Sequence, residues 1–171
     1  MPASPRREFL TDLMRAYLFL ISAVLIFCAL ILVFVFQDVL FDSDSELRLT
    51  PENMTVVSKG EQIYAAQCAK CHGASLEGEP NWRSRGPDGL LPAPPHDASG
   101  HTWHHNNAAL IGMTKYGPTA YAGIEYESNM PAFEGILSDE EIVAVLSFIK
   151  SSWPEHIQEQ HGLINQRAKG N

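Results

Sequence analysis

Ala16 to Phe36 is a run of 21 residues without a charge, AYLFLISAVLIFCALILVFVF. As a helix rising 1.5 Å per residue it spans about 32 Å, the thickness of a bilayer's hydrocarbon core. The competing reading is a cleaved signal peptide, whose apolar region is usually shorter and ends in a small-residue site. Here the run passes into Gln37-Asp38-Val39-Leu40-Phe41 with no A-x-A pattern, which favours a retained anchor. Arg6, Arg7 and Arg15 precede the run, and Asp38, Asp42, Asp44 and Glu46 follow it. Positive flanks stay on the cytoplasmic side, so the expected topology is single-pass with the N-terminus inside and the remainder exported. In a bacterium that places the remainder in the periplasm, tethered to the inner (plasma) membrane.

The exported part carries Cys68-Ala69-Lys70-Cys71-His72. The spacing C-x-x-C-H is the attachment signature of a c-type haem. Two thiols three residues apart can each form a thioether to a vinyl group, and the adjacent His72 can ligate the iron as proximal ligand. The third cysteine, Cys28, lies within the apolar run and reads as a small apolar residue facing lipid or a partner helix. No thiol is left for a disulfide in the exported part, whose stability must come from the haem and a small core.

From Asp38 onward there are nine Lys and Arg against eighteen Asp and Glu, a formal charge of −9. That balance disfavours nucleic acid and anionic lipid as partners. It serves solubility, or a basic docking face on a redox partner.

The chain divides into a cytoplasmic tail (1–15), the anchor (16–36), an acidic linker (37–57), a haem domain (58–154) and a polar tail (155–171). A flexible linker of about 20 residues reaches on the order of 25 Å. Ser58-Lys59-Gly60-Glu61 fits a capping box, predicting a helix from Lys59 to about His72 that Gly73 stops. Ile63, Tyr64, Gln67 and Cys68 would face the haem. Residues 73–101 are rich in Gly and Pro and read as a long loop, reasonable if it packs on the ring. Helix formers return at Asn107–Lys115, where Met113 reads as packing, and Gly117-Pro118 ends that element. Ser138-Asp139-Glu140-Glu141 is a second capping box, opening a helix with Ile142, Val145, Leu146 and Ile149 at the 3.6-residue period. Trp153-Pro154 closes it, and the tail beyond is expected to hold one further helical turn and then fray.

The candidate sixth ligand is Met130, in Ser128-Asn129-Met130-Pro131-Ala132-Phe133. A thioether is a soft, weak ligand that raises the reduction potential. Pro131 restricts Met130 to an extended conformation.

Over residues 58–153 the chain resembles the membrane-anchored, bacterial monohaem class I c-type cytochromes. The matching residues are Gly60 and Tyr64, C-A-K-C-H, N-M-P-A-F, and L-S-D-E-E-I-V-A-V-L-S-F-I-K. The resemblance implies an all-α fold: one transmembrane helix plus a small domain of about three main helices, with long loops around one covalent haem c. It implies that first and last helices cross at a glycine–aromatic contact, for which Gly60, Tyr64 and Phe148 are the candidates. It implies a loop carbonyl that accepts the proximal imidazole proton, and Pro92 or Pro94 fits equally. Arg83, Arg85 and Trp103 are candidates for haem propionates, with solvent exposure and packing as the plain alternatives. It further implies a non-enzymatic one-electron carrier, moving charge at an exposed haem edge from a quinol-oxidising complex (a quinol:cytochrome c oxidoreductase) to a terminal oxidase, in a respiratory or photosynthetic membrane.

The departure from that pattern is the cluster His96, His101, His104 and His105. Cys68, Cys71, His101 and His105 share the composition of a Cys2His2 zinc site, at a gap wider than the usual finger and leaving His72 and Met130 without a role. The plain reading of the four is a polar loop near the haem edge; they also offer ligands for copper or zinc, or for bis-histidine iron. The alternatives to a free shuttle are therefore a fixed haem c subunit of an oxidase, a haem peroxidase with a removable Met130, and a haem or copper-handling module built on residues 96–105.

Overall fold

The computed structural model describes the backbone of residues 5–40, 48–122 and 126–170, and side chains at 14–34, 48–121 and 126–170. Residues 1–4 of the expected cytoplasmic tail and 41–47 of the expected acidic linker, with Asp42, Asp44 and Glu46, lie outside the described residues. The chain divides into two units, Met1–Ser43 and Asp44–Asn171.

The first unit is α1, Pro5–Leu40. Its stretch Met14–Phe34 has a mean hydropathy of 3.0, and every side chain along it is exposed. Length and composition suffice to cross a membrane.

The second unit is all helix and loop, with no strand among the described residues. Its elements are α2 (Met54–Gln67), α3 (Ala69–His72), a 3-10 turn (Thr102–His104), α4 (Asn107–Tyr116), α5 (Thr119–Ala122), α6 (Asp139–Ser151) and α7 (Glu155–Lys169).

α2 begins at Met54, not at the expected Lys59. The cap is Asn53, whose Oδ1 accepts from the N–H groups of Thr55 (3.1 Å) and Val56 (3.3 Å). Ser58 lies inside the helix. The earlier start adds Val57 to Gly60 and Tyr64 as the buried residues of one face, at spacings of three and four. Gln67, expected on that face, is exposed. The helix is interrupted at Cys68, whose N–H still reaches Tyr64, and a separate turn carries residues 69–72.

α2 packs chiefly on α6. A Cβ at Gly60 would overlap the carbonyl of Ala144, so only hydrogen lets the two backbones approach this closely. Beside that contact the rings of Tyr64 and Phe148 lie 5.4 Å apart. α6 starts as its sequence predicts: Ser138 Oγ accepts from Glu141 N–H, and Glu141 returns a bond to Ser138 N–H. Ile142, Val145, Leu146 and Ile149 are all buried, joined by Leu110 and Ile111 of α4 and by Leu49, Leu76, Trp153 and Ile157. Thr50 donates its N–H to Ser147 Oγ at 3.0 Å, which anchors the segment before α2 on α6.

Residues 73–101 form a folded loop. The chain doubles back so that Glu79 N–H donates to the Ala93 carbonyl while Ala93 N–H donates to Glu79 Oε2. A turn at Gly86–Leu90 closes the far end, and the N–H groups of His96 and Asp97 return to the Leu76 carbonyl.

The C-terminal residues do not fray after one turn. α7 runs for 15 residues. Ile157 and His161 are buried on one face, one helical turn apart. The helix packs on the 3-10 turn.

Candidate functional site

The two thiols and the histidine come from the break between α2 and α3. Gly73 follows with φ 81°, a conformation that suits glycine, and turns the chain away. Tyr64, 2 % exposed, aims its hydroxyl at the carbonyls of Gly73 (2.9 Å) and His72 (3.2 Å). The α2–α6 crossing is thereby connected to the end of the motif. Cys68 is half-buried and Cys71 exposed, and both thiols are free. Burial pushes the Cys68 thiol up to about 11, with Cys71 adding to the effect.

His72 is 7 % exposed. Its Nδ1 lies 2.9 Å from the carbonyl of Pro94. A carbonyl can only accept, so Nδ1 carries the proton and Nε2 is left with a lone pair. Nε2 has no protein hydrogen bond among the described residues. Burial holds the imidazole below its usual range, opposed by the Pro94 bond and by Glu79. His72 is thus a neutral imidazole of fixed tautomer, the form that binds a metal. Pro94 supplies this carbonyl; Pro92, the other candidate, does not.

The remaining candidates occupy three places. Arg83 and Arg85 are exposed on the far part of the loop, Arg83 stacked over Trp82 at 4.2 Å and Arg85 donating to the Gly89 carbonyl at 2.7 Å. Trp103 lies in the 3-10 turn, its ring stacked on His104 at 3.7 Å. Its Nε1 is buried with no hydrogen-bond partner. Met130 lies in the stretch after α5, its N–H donated to Ser128 Oγ. That stretch is fixed to the end of α4, where the N–H groups of Phe133 and Glu134 reach the carbonyls of Thr114 and Lys115.

The four histidines of the loop go separate ways. His96 stacks on His72 with ring centres 3.9 Å apart. Burial above all, with the neighbouring His72 and His101, pushes it well below its usual range. His101 stacks on Trp82 and meets the edge of His105 at 5.5 Å. Among the described residues no three His, Cys, Asp or Glu converge as a metal site.

Sequence reasoning missed two contributors. The first is His96 as the neighbour of His72, legible only once the fold of the loop is known. The second is the pair His161 and Asn165. His161 Nε2 donates to the His105 carbonyl, and Asn165 Oδ1 accepts from Asn107 N–H at 2.8 Å. The available signal was the spacing Ile157, His161, Asn165, four residues apart after Pro154.

These residues fit a covalent haem. Two free thiols precede a neutral imidazole whose open nitrogen has no protein partner among the described residues. A buried indole N–H lacks an acceptor, which a carboxylate of the cofactor would provide; left unmet, such a donor costs about 1–3 kcal/mol. Residues 57–153 match the sequence model of the family described as cytochrome c. No curated protein and no solved structure matches the chain.

Proposed function

The chain belongs to the cytochrome c family, and from that premise we propose that it is a membrane-tethered one-electron carrier with His/Met-ligated haem c. When bound, the haem supplies a metal that cycles between two oxidation states. The protein supplies the rest. Cys68 and Cys71 would hold the group covalently, and His72 would ligate it through Nε2. The Pro94 carbonyl holds the proton at Nδ1, which fixes the ring's tautomer and makes it a stronger donor. Met130 would supply the second ligand, a thioether, which raises the potential. Trp103 Nε1 would donate to a propionate. Arg83 and Arg85 already engage Trp82 and Gly89, and serve the loop that frames the site.

The observation that carries this reading is the His72–Pro94 bond, because it prepares one nitrogen of a buried imidazole for a metal. With His72 and Met130 as its two protein ligands, a haem held here would have no exchangeable position for a substrate, which supports transfer as the role. A carrier bearing −9 beyond the anchor suits a basic partner. The tether keeps it at the membrane, at high effective concentration near membrane complexes. We assign it an N-terminus in the cytoplasm, a haem domain in the periplasm, a quinol-oxidising complex as donor and a terminal oxidase as acceptor.

A redox titration of the full-length protein in detergent, followed by optical spectra, tests the reading. One reversible one-electron wave is expected, with the charge-transfer band of methionine–iron ligation in the oxidised form. Met130→Ala should abolish that band, lower the potential and admit carbon monoxide to the reduced form. Rapid carbon monoxide binding by the unaltered protein would contradict the carrier and favour a peroxidase.

A further inference from the structure

His96 has no part in the roles assigned above, yet it makes more directed contacts than most residues of the loop. Its N–H donates to the Leu76 carbonyl at 2.8 Å, and its carbonyl accepts from Trp153 Nε1 at 2.8 Å. Its ring Nδ1 lies 2.9 Å from Thr102 Oγ1. The edge of Tyr64 meets it at 6.2 Å. Backbone and ring are therefore both anchored, and the ring so anchored lies 3.9 Å from His72 with 24° between the planes.

A hydrogen bond fixes one edge of a ring and leaves the plane free to turn about that bond. A flat neighbour fixes the plane. The Pro94 carbonyl does the first for His72. We propose that His96 does the second: it is a positioning residue that sets the angle of the His72 imidazole plane, and Thr102 holds it in place. The inference rests on His72 being the proximal ligand. The plane of an axial imidazole governs which of two nearly equal iron orbitals carries the unpaired electron, and so where spin density falls on the haem edge. With haem bound, a fixed plane would give one distribution of spin and so one order of the haem methyl shifts.

The test is proton NMR of the oxidised full-length protein in detergent, reading the order and spread of the hyperfine-shifted haem methyl signals. His96→Phe keeps a flat ring and should keep the unaltered order. His96→Leu keeps apolar bulk without the flat face and should reorder the methyl signals while the methionine band stays. Thr102→Val should shift them in the same direction and less. A merely structural role would lower stability in these variants without moving the methyl order. Haem-loaded His96→Leu with the unaltered methyl order would overturn the proposal. Should His96→Leu fail to take up haem, Thr102→Val decides alone: shifted signals support the proposal and unshifted ones overturn it. Lack of covalent haem in the unaltered protein would strike the carrier reading instead, and shows first as a missing mass increment.

Discussion

His161 donates through Nε2 to the carbonyl of His105 at 2.9 Å, joining the last helix to the loop that carries Trp103. The histidine is fully buried, with Trp153 edge-on at 5.2 Å. Burial pushes it from the ordinary 6.5 down to about 4, Lys150 adds to the effect, and the His105 bond opposes it. The unfolded chain therefore takes up a proton near pH 6.5 that the folded chain refuses until about pH 4. This part of the stability is complete above pH 6.5 and is lost as pH falls through that window, by on the order of 3 kcal/mol. His161→Gln keeps an amide donor and has no charge to gain. Thermal unfolding between pH 7 and 4 should show a shallower pH dependence in the variant, and parallel curves would refute the assignment.

The cap of α2 separates two readings of the sequence. Asn53→Ala should cost about 1 kcal/mol, the usual worth of an N-cap. Ser58→Ala, an exposed position inside the helix, should change stability by less than about 0.5 kcal/mol. Urea midpoints of the two variants check this, and the reverse order would restore Lys59 as the helix start.

Two glycines should respond in opposite directions to alanine. Gly60→Ala forces the new methyl against the Ala144 backbone and should cost about 3 kcal/mol or more. Gly162 lies in α7 with open space around it, so Gly162→Ala should stabilise by about 0.5–1 kcal/mol. Denaturant midpoints at unchanged m-value measure both.

Trp103→Phe removes the buried donor while leaving a ring to stack on His104. In the haem-loaded protein it should cost about 1.5–3 kcal/mol, the worth of a hydrogen bond to a charged acceptor. Thermal unfolding of holoprotein is the readout, and no loss would mean that Nε1 has no acceptor there.

Legibility followed locality. The start of α6 was readable because Ser138 and Glu141 satisfy each other within one turn, and the apolar period of that helix is unbroken. The start of α2 was not, because Ser58-x-x-Glu61 offers an equally good local pattern, and the choice of Asn53 follows from burying Val57. From the sequence alone α7 reads as a tail, because its face is closed by a histidine and an asparagine, whose bonds to the loop are invisible before folding. The Gly60–Tyr64–Phe148 crossing was legible through family resemblance. The choice of Pro94 over Pro92 was not, because it depends on the loop doubling back through Glu79 and Ala93. The pairing of His96 with His72 came from the same fold-back.

The contact of Gly60 with Ala144 brings together parts of the chain separated by nearly the whole matched region. A polypeptide interrupted before Ala144 already bears both thiols, the histidine and the Pro94 carbonyl, but lacks the α6 face on which Gly60 and Tyr64 pack. Closing so large a ring of chain is costly in entropy and slow. During synthesis Cys68 and Cys71 therefore emerge well before Ala144 and Phe148, the residues on which the helix leading into them packs.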